Sequence, residues 1–301
     1  LPSGTELTPR PEWIQEWATL PEEEKRAYAR MMEVYAGFLT HTDHHVGRVF
    51  DHLEAIGELD NTIVVVMSDN GASPEGDKHG AFNSVAWYNS IPLSLDDVLP
   101  NVDLLGGPES HGHYPYGWAH AGNTPFQRWK RECHEGGVAD PLIVHWPAGI
   151  NETGEVRTQY LHVIDIMPTV LDALGIEMPA VLDGVPQKPI EGKSLFETFS
   201  IPESTTARTT QYYELLGCRA LYHEGWKAVA YHPMRGQLCV PGIDPEIAFD
   251  DDRWELYHVA EDFSESNDLA ATHPLKLREM IDRWWAEAGA HGALPLHSSR
   301  P

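Results

Sequence analysis

The sequence predicts an α/β fold, a sheet flanked by helices, followed by a smaller α+β unit of antiparallel strands and a helix. Three observations predict it. Ile63, Val64, Val65, Val66 and Met67 form an uninterrupted apolar run rich in β-branched residues, the pattern of a strand buried on both faces. A long stretch of helical periodicity over 21–56 feeds directly into that run. Beyond residue 210 the pattern changes to short β-rich segments separated by glycine-containing turns, which are hairpin signals. The division falls near residue 200, with 1–200 in the α/β domain and 201–301 in a C-terminal α+β subdomain.

The first 20 residues read as loop, with Pro2, Pro9 and Pro11 and the exposed-looking aromatics Trp13 and Trp17. A helix opens near Pro21, where Glu22, Glu23 and Glu24 complement the positive end of the helix dipole. Tyr28, Met31, Tyr35, Phe38, Leu39, Thr42, Val46, Val49, Phe50, Leu53 and Ile56 recur in steps that define one buried stripe, and Gly57 stops it. Gly37 could break or bend this helix. His41, Asp43, His44 and His45 lie within it. His41 and His45 share a face, but no zincin glutamate stands between them, and a solvated helix face is the better reading.

The apolar run ends in Ser68-Asp69-Asn70-Gly71. Open α/β sheets bind ligands past the carboxyl ends of their strands. Asp69 and Asn70 offer hard oxygens suited to a cation such as calcium, although Asp-Asn-Gly is also an ordinary turn sequence. A long glycine- and proline-rich region, 72–125, follows. Its aromatics Trp87, Tyr88, Tyr114, Tyr116 and Trp118 fit either a platform for a planar ring or the packing core of the loop itself. Arg128, Lys130 and Arg131 are the densest basic group, readable as a solvated face or an anion site. Gly136-Gly137 turns the chain into a second strand, Pro141 to Trp146. Residues 160–175 read as a strand passing into a helix that Pro168 opens and Gly175 ends. Gln211–Leu215, Cys218–Tyr222, Trp226–Tyr231 and Trp254–Val259 read as strands, and Pro274–Ala288 as an amphipathic helix.

Composition narrows the function. The 301 residues are 42% hydrophobic and 22% charged, ordinary globular values, and no run reaches the ~18 apolar residues of a membrane span. A net charge of -25 argues against nucleic acid or an anionic membrane as partner. An anionic substrate therefore needs a locally positive or metal-bearing site. Cys133, Cys218 and Cys239 do not form a disulfide framework.

Several of these pieces together resemble the sulfatase family, within the alkaline-phosphatase-like superfamily. They are Val66-Met67-Ser68-Asp69-Asn70-Gly71, Lys130 five residues ahead of Glu135-Gly136-Gly137, the following strand to Trp146-Pro147, and Asp-Phe-Ser-Glu-Ser-Asn-Asp-Leu-Ala at 262–270. The resemblance implies the C-terminal part of an alkaline-phosphatase-like sheet, with Asp69 and Asn70 as calcium ligands and Lys130 as the catalytic residue that contacts the sulfate. It implies a small-molecule sulfate ester, in the arylsulfatase manner, as substrate. The family's nucleophile, a formylglycine from a Cys-x-Pro-x-Arg type motif, matches none of the three cysteines, nor Ser204 with Arg208. The chain thus looks like the downstream part of a sulfatase, inactive alone. The other readings are a phosphate or phosphonate ester hydrolase of the same superfamily, and a non-catalytic chain that binds sulfated ligands. The former tends to use softer metals with His ligands, against which Asn70 argues. The residues specify neither compartment nor oligomeric state.

Overall fold

The computed structural model describes residues 4–89, 91–233, 243–244 and 246–297. The elements in chain order are α1 (Glu22–Ala55), β1 (Val64–Met67), α2 (Val85–Tyr88), α3 (Leu95–Val98), α4 (Tyr116–Gly122), α5 (Glu135–Val138), β2 (Leu142–His145), α6 (Ile166–Leu174), β3 (Val181–Leu182), β4 (Val185–Pro186), β5 (Thr210–Leu215), β6 (Cys218–His223), β7 (Trp226–Ala230), β8 (Trp254–His258) and α7 (Pro274–Ala290). By contact they group into two units. One holds residues 1–49, 67–141 and 212–301, the other 50–66 and 142–211. Among the described residues no helix is long and apolar enough to cross a membrane.

The first unit has two apolar centres. In one, Tyr28 and Met31 of α1 meet Val98, Leu105, Tyr114, Tyr116 and Trp129. Trp13, expected on an exposed loop, packs its ring at 5.1 Å from Tyr116 and 5.5 Å from Trp129, because this aromatic cluster gives it more apolar contact than water does. The second centre is the antiparallel sheet β5-β6-β7-β8. The β6–β7 register pairs Leu221 with Ala228, and the β7–β8 register pairs Ala228 with Leu256. Leu221, Ala228 and Leu256 therefore share one face, which α7 covers with Met280, Trp284 and Ala288. Residues one position along face the other way, where Ala220, Val229 and Tyr257 pack with Cys133. Leu216-Gly217 and Glu224-Gly225 both have positive φ, the geometry of tight turns whose twist suits a hairpin.

In the second unit β1 pairs with β2, and β3 with β4. Asp165 is fully buried and is the hub of the 162–208 segment. Its carboxylate accepts from the His162 N–H at 2.8 Å, the Lys193 N–H at 2.7 Å and the Arg208 Nε at 2.8 Å. This capping box starts a short turn at Val163 and then α6, so the strand expected at the start of 160–175 does not form. Pro168 sits in the first turn, and Gly175 ends the helix in the left-handed conformation, φ 65°.

Two burial expectations are overturned. β1 is a strand but is not buried on both faces, since Val66 is 46% and Met67 39% exposed. α1 runs unbroken through Gly37, yet its stripe is buried only at Ala27, Tyr28 and Met31. Phe38, Val46 and Val49 are 64%, 41% and 57% exposed. An apolar pattern specifies a face that packs well; burial also requires a partner surface. Among the described residues β1 has only β2 beside it in its sheet.

Candidate active site

The candidate site forms where the chain leaves β1. Ser68 Oγ donates to the Asn70 carbonyl at 2.8 Å, and Asn70 Nδ2 donates to the Gly71 carbonyl at 3.0 Å. The amide nitrogen is thus used within the loop, which leaves Oδ1 as the oxygen for a cation. The Asp69 carboxylate is exposed. Asp140 lies within its field. Burial, then the charges of Asp69 and Glu135, push the Asp140 carboxyl up to about 6. Negative charge therefore accumulates around Asp69, an arrangement that a hard divalent ion would relieve. Among the described residues, no three His, Cys, Asp or Glu side chains converge to hold a metal by themselves.

Three loops are stitched together here. The Gly71 N–H donates to the Gly137 carbonyl at 3.3 Å, and the Lys130 N–H to the Ala72 carbonyl at 3.1 Å. Asn123 Oδ1 accepts from the Ala72 N–H at 3.0 Å, while its Nδ2 donates to the carbonyls of Arg128 at 2.9 Å and Gly136 at 2.8 Å. One side chain thereby fixes the spacing between the Asp69-Asn70 loop and the Lys130 loop. The approach leaves no room for a methyl group. A Cβ on Gly71 would lie 1.7 Å from the Gly136 oxygen, and one on Gly136 would lie 2.2 Å from the Gln127 oxygen. Gly71→Ala is expected to cost about 3 kcal/mol, the upper end of overpacking effects, read as a lowered urea midpoint. An unchanged midpoint would show that these loops can separate freely.

The basic group divides. Arg128 and Arg131, on either side of Lys130, both adopt the left-handed region, with φ 67° and 79°. This turns them into packing roles. The Arg128 guanidinium lies 3.5 Å from Glu132 and over the Tyr231 ring, and Arg131 lies over the ring of Trp87. Lys130 instead reaches the Glu75 carboxylate at 3.3 Å. Glu75 is buried; burial raises its pKa, but the Ser73 hydrogen bond and the charges of Lys130 and Arg131 outweigh this and hold it below the usual range.

Glu135 anchors the glycine pair from behind. Lys227 on β7, fully buried, reaches Glu135 at 2.5 Å and Glu265 at 3.0 Å. The second oxygen of Glu265 accepts from the Glu135 N–H at 2.9 Å. Burial disfavours the Lys227 charge, but the two carboxylates overcome that and raise its pKa. The sequence pointed to Asp69, Asn70 and Lys130 as candidates and did not point to Glu75, Asn123, Asp140 or Lys227. Their decisive contacts reach far along the sequence: 51 positions from Asn123 to Ala72, 55 from Lys130 to Glu75 and 92 from Lys227 to Glu135.

Other candidates resolve simply. Tyr114, Tyr116 and Trp87 are buried, so most loop aromatics are packing core; Tyr88 is 52% exposed. On α1, Arg48 Nη1 meets His45 Nδ1 at 2.9 Å, and His45 Nε2 meets His41 Nε2 at 3.1 Å. Arginine can only donate, so His45 carries its hydrogen on Nε2 and donates it to His41. The pair is a hydrogen-bonded relay on an exposed face. Cys133 and Cys218 are free and buried, and Cys239 lies outside the described residues.

Comparison with known proteins adds an independent line. The family model described as Sulfatase matches residues 9–176, and one described as N-sulphoglucosamine sulphohydrolase, C-terminal, matches 126–240. An uncharacterized sulfatase of Schizosaccharomyces pombe is 34% identical over 271 residues, 89% of this chain and 45% of that protein. An arylsulfatase of Klebsiella aerogenes is 29% identical over 194 residues, 62% of this chain and 39% of its own length. The solved structure of Ps i-CgsB matches 99% of this chain and 50% of that one, with a TM-score of 0.55 at 17% identity. The chain spans less than half the length of these two curated relatives.

Proposed function

Since the chain belongs to the sulfatase family, with an alkaline-phosphatase-like fold, we propose that it carries the cation- and sulfate-binding half of a sulfuric ester hydrolase acting on small sulfate monoesters. The observation that carries this reading is the backbone bond from Lys130 to Ala72, which sets an ammonium-bearing residue beside the Asp69-Asn70 loop. Asp69 and Asn70 Oδ1 would hold a calcium ion, and the donor set fits, being hard oxygens in a region of accumulated negative charge. Calcium takes ~6–8 oxygens, so these two are part of its shell. Bound there, the ion would supply positive charge against the sulfate oxygens.

Lys130 would place its ammonium on a sulfate oxygen and stabilise charge that grows as the ester bond breaks. Ser68 and the Asn70 amide keep the ligand loop in one conformation, and Asn123 keeps Lys130 at a fixed distance from it. Neither Cys133 nor Cys218 stands in the formylglycine pattern, so we assign no nucleophilic step to these residues. An aryl ester is the favoured substrate, because the exposed Tyr88 donates to Glu75 at 3.3 Å and so stands next to Lys130 with its ring open to solvent.

Calcium titration by calorimetry tests the ligand assignment. Asp69→Ala is expected to weaken binding at least ~10-fold, because a charged oxygen ligand is lost. Equal affinity in the variant would overturn it.

A further inference from the structure

Lys130 is not left to find its position when a sulfate arrives. The Lys130 side chain is about one-third exposed, whereas that of the Glu75 it meets is 9% exposed. One side of the charge is gripped by a buried acid and the other stays open. Three donors converge on the same oxygen of Glu75. They are Ser73 Oγ at 2.9 Å, Lys130 Nζ at 3.3 Å and Tyr88 OH at 3.3 Å. Behind Glu75 stands a second layer, in which Ser73 Oγ lies 2.9 Å from His113 Nε2 and His113 Nδ1 lies 2.8 Å from the Tyr114 carbonyl. A carbonyl only accepts, so Nδ1 carries a hydrogen and the ring orientation is fixed. Ser73 has a single hydroxyl hydrogen to share between Glu75 and the His113 Nε2, so the continuous line to the proposed sulfate contact is Ser73, Glu75, Lys130.

We propose that Glu75 is the positioning residue for Lys130, holding its ammonium in the place in which it meets a sulfate oxygen, with Ser73 holding Glu75. This rests on the reading of Lys130 as the sulfate contact. The physical need is plain. A lysine on four rotatable carbons loses much conformational freedom on ordering, and a charge aimed in advance acts without reorganisation during the reaction. Glu75 sits only a few residues beyond Asp69 and Asn70 on the same loop, so one segment would set both the ion and the ammonium.

The test uses the 301-residue chain with calcium present and reads the side-chain ammonium of Lys130 by nitrogen-15 NMR, identified by its loss in Lys130→Arg. In the wild type its hydrogens are expected to exchange slowly, and its signal to shift on addition of inorganic sulfate. Glu75→Gln is expected to speed that exchange at least ~10-fold and to diminish the sulfate-induced shift. Glu75→Asp, which keeps the charge, should recover part of both effects. Ser73→Ala, which does not touch Lys130, should give an intermediate acceleration and serves if Glu75→Gln does not fold. Exchange unchanged in Glu75→Gln and Ser73→Ala would overturn the positioning role while leaving the site intact. A Lys130 signal in the wild type that ignores sulfate, with slow exchange retained, would instead overturn the sulfate reading and leave the Glu75 ion pair as structure alone.

Discussion

Lys130→Ala is expected to lower turnover of an aryl sulfate by about 10²–10³-fold, in a protein carrying this chain together with the remaining length that its relatives have. That is the scale on which removal of one aligned charge-stabilising donor acts. Calcium affinity should stay within about twofold, since Lys130 is not placed among the ion's ligands. The split separates the two halves of the site. Asp69→Ala is expected to weaken ion binding and activity together, whereas Lys130→Ala is expected to lower activity alone. A chromogenic aryl sulfate assay paired with calcium calorimetry reads both quantities. Full activity in Lys130→Ala would mean that another group neutralises the sulfate, and the proposed function would lose its central residue.

Lys227→Met should cost about 3–5 kcal/mol in unfolding free energy, which for a marginally stable fold is a large part of the whole. The methionine fills the volume but leaves Glu135 and Glu265 facing each other in the interior, Glu265 being fully buried, without the ammonium between them. The loss should appear as a lowered urea midpoint. Part of it should be recovered by the added change Glu265→Gln, which removes one of the stranded charges and keeps the side-chain shape. Because Glu135 begins the Gly136-Gly137 turn, the single variant should also loosen the contact between Gly71 and Gly137, read as faster amide exchange at Gly71. A midpoint within experimental error of wild type would show that water reaches this triad and screens it.

The extent to which these features were legible in the sequence follows from how local their signals are. β1, the hairpins about Gly217 and Gly225, and α7 were legible because a run, a turn or a stripe declares each within a few residues. Asp69, Asn70 and Lys130 came from the resemblance to the sulfatase family, and the backbone bond from Lys130 to Ala72 brings the two loops into contact. Burial was misread at Val66 and along α1 from Tyr35 onward, since periodicity reports a preference and not the presence of a neighbour. The strand expected near 160 failed because Asp165 captures backbone N–H groups that a strand would have used. Glu75, Asn123 and Lys227 carry no local signature. Their roles come from what the fold sets beside them, as do the left-handed turns at Arg128 and Arg131, where an arginine stands in place of the glycine such a conformation favours.

Asn123 has a consequence for how this chain can change length over evolutionary time. Its single amide bridges Ala72, Arg128 and Gly136 at once. One residue added between 124 and 135 would displace either the lysine or the glycine pair from that bridge, and no repacking elsewhere restores three bonds to one planar group. Insertions are therefore expected to be tolerated best in stretches the amide does not span. The exposed tip around Pro108 and Glu109 and the β3–β4 turn at Asp183-Gly184 are such stretches. An insertion at those tips leaves the spacing of the Ala72, Arg128 and Gly136 backbones, and so the placement of Lys130, undisturbed.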